Sequence, residues 1–503
     1  AEYNLSMFVK GDASAVIHAS LESPTNESII YAAAQLSVDN SSWAQVSAVL
    51  KAKVNGTANG RLVLRPVFTD ASNGGRVWMN VVSLFPPTFK QRPNGMRNDV
   101  AQVIADLSPS FFRFPGGEFV EGGVLADRFK WNETIGPISE RPGHFNDVWG
   151  YWCNDGLGFH EFLQFAEDIK AIPVFVVNAG ISLSDAVHGD ELDSYIRDTL
   201  DALDYANAPT TNDWGKLRAA NGHPEPFGLA HIGIGNQDCG SPYYSDNYQE
   251  FYTALVNHNA AIVVIADCNE SVNETTSMYD YSANNTPGWF ADHGALFDKT
   301  DRSGPQIFVS SYAATGPKAG HGNLLSALSE AVFMAGLERN SDIVTMASRA
   351  LLIANMGYFN TGPTLVGVNA TALYRSPSYW VQHMFSTNQG QYVLPLSLTP
   401  SNLTLAATAS RLDDHTFIIK IVNVGDIDHT LEVSVQDFGL ADRDASLVVL
   451  RGKPGDENSL DNPNFVAPRD IPVLLELGDP VFTYTAPAYS LSVIRFRAGL
   501  ALD

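Results

Sequence analysis

The chain is poor in cysteine, in basic side chains and in long apolar runs. Three cysteines in 503 residues, Cys153, Cys239 and Cys268, permit at most one internal bridge. None sits in a CxxC or Cys/His spacing, so no metal site or cofactor is indicated. Only 31 Lys and Arg face 55 Asp and Glu, a formal charge of −24, which argues against a nucleic-acid partner. The longest apolar stretches, such as IPVFVV (172–177), fall far short of the roughly 20 residues of a membrane-spanning helix. The opening AEYNLSMFVKGD lacks the basic start and apolar core of a signal peptide, so any targeting segment is expected to be already removed.

What is present reads as globular: 45% hydrophobic and 17% charged residues, in a chain long enough for two or three domains. Ten Asn-x-Ser/Thr sites occur, at Asn4, Asn26, Asn40, Asn55, Asn132, Asn269, Asn273, Asn284, Asn369 and Asn402. Residue frequencies alone give on the order of five, so a secreted, extracellular glycoprotein is expected.

Residues 1–85 alternate apolar and polar in short runs such as SMFVKG, AVIHASLES and RLVLRPVF, the period of antiparallel strands in a β-sandwich. After Pro86-Pro87 buried apolar strands alternate with amphipathic helices through about residue 395, the pattern of a parallel β/α domain. From residue 396 to 503 alternation returns (LTLAATASRL, TFIIKIVNV, SLSVIRF), predicting a second β-sandwich. The middle segment holds seven strand candidates, at 111–117, 173–180, 229–237, 261–268, 277–283, 306–313 and 342–352. A closed barrel of this type needs eight.

The runs SLFPPTFKQRPNG (83–95), FRFPGGEFVEG (112–122), KWNETIGP (130–137), DGLGFHEFLQFAED (155–168), AGLERNSDIV (335–344) and SPSYWVQ (376–382) resemble the fungal α-L-arabinofuranosidases of glycoside hydrolase family 51. The resemblance implies an α/β plus all-β fold: a carbohydrate-binding-like β-jelly roll, a (β/α)8 TIM barrel and a C-terminal β-sandwich. It also implies that the segment preceding residue 1 in such proteins, including barrel strand one, has no counterpart here. The expectation is therefore that the N-terminal fragment of the chain's own precursor, or another polypeptide, completes the barrel, because an open seam leaves backbone groups unpaired.

Retaining glycosidases need two carboxylates about 5 Å apart, on the C-terminal ends of strands four and seven in this family. The family's Gly-Asn-Glu, which carries the acid/base, matches Gly235-Asn236-Gln237; its Gly-Glu-Tyr, which carries the nucleophile, matches Ser310-Ser311-Tyr312. Gln237 has no titratable proton and Ser311 no adjacent base. Glu118 and Asp238 are the candidate replacement carboxylates, with Asp280 behind them; the other reading of Asp238 is that it holds a loop, and of Glu118 that it replaces a sugar contact. Asn236, Glu118, Asn284 and Asn360 are the expected sugar contacts. Glu121, Glu133, Glu161, Glu167 and Glu338 lie in motifs shared with active members and are read as architectural, and His231 as a core histidine. Cys239 and Cys268 follow consecutive barrel strands and are expected to reach the separation a disulfide requires.

Three functions follow from these residues. The leading one is a hydrolytically degenerate family member with a glycan-binding or scaffold role. The alternative is an active glycosidase on arabinose-containing plant cell-wall glycan that uses displaced carboxylates, and the third is a structural glycoprotein.

Overall fold

The computed structural model describes every residue except 40, 54–58, 70–74, 94, 269–275, 359–361, 400–403, 437, 441–443, 475–480 and 501–503. By its contacts the chain divides into two compact units, Ala1–Ala105 with Lys130–Asp168 and Asp204–Phe227, and Asp106–Phe129 with Ile169–Leu203 and Gly228–Asp503.

The first unit opens with six antiparallel strands, β1 (Glu2–Gly11), β2 (Ala15–Glu22), β3 (Ile30–Val38), β4 (Ala44–Lys51), β5 (Arg61–Phe68) and β6 (Val77–Phe85). They form two sheets, in the orders β4-β1-β6 and β3-β2-β5. The alternation read from the sequence becomes one core. Leu5, Met7 and Val9 of β1 meet Ala15, Ile17 and Ala19 of β2, with Leu36 and Val38 of β3, while the intervening residues stay outside. Elsewhere in this unit Trp131 packs on Phe159, Tyr205 and Trp214. Arg141 holds Glu161 through both guanidinium termini at 3.1 and 2.7 Å, which gives that glutamate the architectural role expected of it.

The second unit contains a parallel sheet of seven strands: β7 (Phe111–Phe114), β8 (Ile172–Val177), β9 (His231–Ile234), β10 (Val263–Ala266), β11 (Met278–Asn285), β12 (Gln306–Ala314) and β13 (Val344–Arg349). They lie in chain order and correspond to the seven runs identified in the sequence. Among the described residues β7 pairs only with β8, and β13 only with β12. Val174, Ile265, Met278 and Phe308 make one cluster inside the curled sheet, joined by Phe111, Val263 and Met346. Phe111 of β7 meets Phe308 of β12 edge to face at 5.3 Å. The interior is therefore an apolar core, and the polar side chains that can do chemistry lie toward the strand ends.

The helices on the outer face start where the sequence caps them. Asn323 accepts from Ser326 N at 3.0 Å to open Leu324–Arg339. Thr286 and Ser376 cap helices that carry proline in the first turn, where its missing N–H costs nothing. Leu324–Arg339 is buried nearly all round because it packs against β12 on one side and the C-terminal strands on the other. Those strands form a sheet in the order Tyr392–Leu394, Leu405–Arg411, Thr416–Asn423, Ser490–Leu500, Asp444–Arg451 and Arg469–Leu474. A two-stranded sheet of His429–Ser434 and Val481–Ala486 supplies Leu431, Val433, Phe482 and Tyr484 to a shared sandwich core. Antiparallel N-terminal sheets, a seven-stranded half-barrel with helices and a C-terminal sandwich are thus all present.

Candidate active site

Each barrel strand delivers its last residues to one end, and there the acids collect. Arg113 from β7, Asp267 from the turn after β10, and Asp280 from β11 line a small cavity together with Gly233, Ile234 and Gly235 of β9 and Phe308 of β12. Arg113 donates from Nη2 to Asn236 Oδ1 at 3.1 Å. Its neighbouring acids are Asp280, Asp267 and Glu121, so one guanidinium serves several carboxyls.

The β9 turn is fixed by Asp267. Its Oδ1 accepts from Gln237 N at 2.7 Å, its Oδ2 accepts from Asp238 N, and its own N–H donates to the Tyr244 hydroxyl. Those bonds hold Gln237 in the left-handed region, φ 62°, uncommon for a residue with a Cβ. Gly235 is at φ +81°, and a Cβ there would lie 2.4 Å from Asp238 Oδ2 and 3.0 Å from the Tyr244 ring. Glycine is therefore required for the chain to reach the mouth. Cys239 and Cys268, at the ends of the two turns, are joined as a disulfide across a Cα separation of 5.8 Å, and Cys153 is free.

Burial sets the proton affinities. Glu121 is buried and hydrogen-bonds Asp238; desolvation, then the Asp238 charge, pushes its carboxyl up to about 9. Asp238, buried beside Asp267, is pushed up to about 7 by desolvation first, although Asn236 N donates to its Oδ2 at 3.2 Å. Glu121 is thus the proton donor of this pair and Asp238 the acceptor. Desolvation also raises Asp280, to about 6, against the opposing pull of Arg113 and the Ser310 hydroxyl.

A bulge brings Ser310 and Ser311 to the same place. Asp280 pairs with Phe308 and Ser282 with Ser311, so β12 carries one extra residue there. Ala283 and Tyr312, the next partners, both face the outer helix layer, which leaves Ser282 and Ser311 on the barrel face together with Ser310. Ser310 is 4% exposed and bonded to Asp280, whereas Ser311 is half-buried.

Of the residues singled out in the sequence, Asn236, Gln237, Asp238 and Ser311 are at this end of the sheet. Gln237 is exposed. Asp238 is committed to the turn, its oxygens taken by Asn236 N and Glu121. Glu118 is half-buried in the one-turn helix Glu118–Glu121, and Asn284 is exposed near the end of β11. Asn360 lies outside the described residues. His231 is half-buried, its ring pushed toward the neutral form by desolvation. Sequence reasoning passed over Arg113, Asp267 and Ser310 and ranked Asp280 last among the replacement carboxyls. A signal existed for Asp267, an acid closing the apolar run IVVIA at the C-terminal end of a barrel strand.

A carboxyl-lined mouth on a parallel β/α half-barrel, in a chain that also carries antiparallel β modules, is an arrangement compatible with a glycoside hydrolase, although the fold alone does not fix the chemistry. Comparison with known proteins narrows this. Residues 103–302 match the model of the alpha-L-arabinofuranosidase 1 domain, and residues 299–490 that of the alpha-L-arabinofuranosidase C-terminal domain. The chain is 37% identical to alpha-L-arabinofuranosidase 1 of Arabidopsis thaliana over 507 residues, covering 98% of the chain and 73% of that protein. It is 34% identical to alpha-L-arabinofuranosidase A of Aspergillus kawachii over 435 residues, 84% of the chain and 68% of that protein. A Streptomyces chartreusis relative named an extracellular exo-alpha-L-arabinofuranosidase is 37% identical over 368 residues, 66% of the chain and 44% of that protein. The fold superposes on an arabinose-bound GH51 α-L-arabinofuranosidase with a TM-score of 0.92 and 32% identity, over 99% of the chain and 82% of that structure. The chain belongs to the α-L-arabinofuranosidases of glycoside hydrolase family 51, and its relatives include plant and bacterial as well as fungal proteins.

Proposed function

We propose that this protein releases terminal α-L-arabinofuranosyl groups from arabinose-containing plant polysaccharides, using a carboxyl other than residues 237 and 311. The observation that carries this reading is Asp280: its carboxyl lines the mouth cavity beside Arg113 and is held up to about 6, a proton affinity suited to general-base work near neutral pH. Asp280 activates a water against the anomeric carbon, and Arg113 and Asn236 orient the sugar hydroxyls. As the bond from water to the anomeric carbon forms, Asp280 takes the water's proton and the glycosidic C–O bond breaks; Gln237, at the place we match to the family's acid/base, donates a hydrogen bond to the departing oxygen but cannot protonate it, so that oxygen takes its proton from solvent water. General acid assistance is typically worth about 10²–10⁴-fold, so activated aryl arabinofuranosides should turn over far faster than polysaccharide.

A second reading, an arabinofuranosyl-binding protein without turnover, is favoured by the same Gln237 and Ser311, neither of which is a carboxylate. Arabinose release from nitrophenyl α-L-arabinofuranoside, measured for the native protein and Asp280→Asn beside calorimetric sugar binding, separates them. Release lost in Asp280→Asn supports the first reading. Binding without release moves the conclusion to the second, and neither leaves a structural glycoprotein.

Secretion belongs to the same proposal. Asn4, Asn26, Asn132 and Asn284 are exposed and open to glycans, whereas the Asn369 side chain accepts from Thr371 N and Ala372 N in a turn. Asn40, Asn55, Asn269, Asn273 and Asn402 lie outside the described residues. Completion of the half-barrel by a further segment, pairing with β7 or β13, is likewise proposed on the strength of those two edges.

A further inference from the structure

We infer that the outer face of the β4-β1-β6 sheet binds a uronic-acid-bearing polysaccharide, its rings laid across Trp43 and Trp78 and one carboxylate held by Lys10. This surface shares no residue with the barrel mouth, and the inference does not rest on arabinofuranoside turnover.

The register builds the platform. Lys10 of β1 pairs with Trp78 of β6, and Val9 with Ala44 of β4, which puts Trp43, just before Ala44, across from Lys10 on its other side. Lys10 Nζ lies 5.0 Å from the Trp43 ring centre and 5.2 Å from that of Trp78. Two strand spacings separate the indoles, about 10 Å. The next row on this face is Gln45, Phe8 and Asn80, and the one after it Ser47, Ser6 and Ser83. Strand alternation keeps Leu5, Met7 and Val9 in the core, so these rows point outward.

The chemistry of the face selects its occupant. Trp43 is 46% and Trp78 39% exposed, apolar area that a module burying its own core has no need to display. Indole faces stack on the C–H faces of sugar rings, and Gln45, Asn80 and the serines offer hydroxyl partners at the rim. Lys10 sets the charge. Among the described residues no carboxylate forms an ion pair with it, and the nearest acid in sequence, Asp12, turns its Oδ1 to Arg76 N at 2.6 Å. An ammonium without an anion, clamped between two indoles in a chain of net charge −24, is a local exception that a single carboxylate complements. The overall negative charge repels a densely charged polyanion. Screening confines that repulsion to about 8 Å at physiological salt, so sparse uronic-acid substituents on an otherwise neutral chain are the matching ligand.

The test uses the full chain and two polymers, glucuronoarabinoxylan and the same material with its uronic carboxyls reduced to alcohols. Binding is measured by affinity electrophoresis and calorimetry. Carboxyl reduction should weaken binding about tenfold. Lys10→Gln should lower affinity for the native polymer to that for the reduced one and leave the reduced one unchanged, while Lys10→Arg keeps the preference. Trp43→Ala and Trp78→Ala should each weaken both polymers about tenfold. All three positions are solvent-facing, and an unchanged unfolding midpoint confirms the fold of each variant. Equal binding of the two polymers by the native protein, equal loss on both in Lys10→Gln, or unaltered binding in both tryptophan variants overturns the inference. Hydrolysis of nitrophenyl arabinofuranoside, assayed in parallel, should not change in any of these variants, so failure of this site is distinguishable from failure of the barrel mouth.

Discussion

Glu121→Gln should stabilise the protein at neutral pH, against the usual expectation for a buried carboxyl in a site. The Glu121 carboxyl is pushed up to about 9, whereas in the unfolded chain it titrates near 4.3. Between those values the folded state holds a proton that the unfolded state has released, so stability falls as pH rises through that window. At pH 7 the cost is at most about 4 kcal/mol, from 1.36 kcal/mol per unit over about 2.7 units. Asp238, pushed up to about 7, shares the proton, and we expect about half of that, roughly 2 kcal/mol. Glutamine keeps the shape, and its amide donates to Asp238 as the carboxylic proton does. Urea midpoints of the native protein and Glu121→Gln should therefore coincide near pH 4 and separate in favour of the variant by pH 7. A pH-independent difference, or a variant less stable by more than about 1 kcal/mol at pH 7, would show that Glu121 is ionised in the fold and would refute the assignment of the shared proton.

Asp238→Asn should cost about 1–3 kcal/mol, because the amide keeps one acceptor oxygen where the carboxyl has two, and the N–H2 that replaces the other cannot accept from Asn236 N or Glu121; the same urea titration reads it. Gly235→Ala should cost about 3 kcal/mol or more, since the added Cβ meets Asp238 and the Tyr244 ring at a positive φ, and soluble yield with unfolding midpoint checks it. Lys420 is fully buried, with Nζ 2.8 and 2.7 Å from the two oxygens of Glu338, and desolvation lowers its proton affinity. Glu338→Leu should cost about 3–5 kcal/mol at pH 7 and regain stability toward pH 10, because a buried lysine with a depressed affinity is best tolerated once neutral. Under the proposed function the rate on nitrophenyl arabinofuranoside should rise with pH to a plateau above about 6, following ionisation of Asp280, and Asp280→Asn should abolish it.

The three-part organisation and all seven parallel strands were legible in the sequence because they rest on local periodicity. Alternation over 1–85 and doubly buried runs such as IPVFVV are dictated by which faces of a strand meet water. The family was legible too, since its motifs are short and contiguous. The chemistry of the mouth was not. Arg113, Asp267 and Asp280 come from three separate segments, and only curling of the sheet brings them to one cavity. Their proton affinities come from burial and mutual charge, which no residue carries in its own identity. The bulge that turns Ser311 toward the barrel, and the cross-strand row of Trp43, Lys10 and Trp78, were equally invisible, because register is a property of paired strands. Sequence alone therefore determined which elements form and what residues they offer. The tertiary structure decided which of those residues share a site and which of them keep a proton, because both depend on distances between parts of the chain that are remote in sequence.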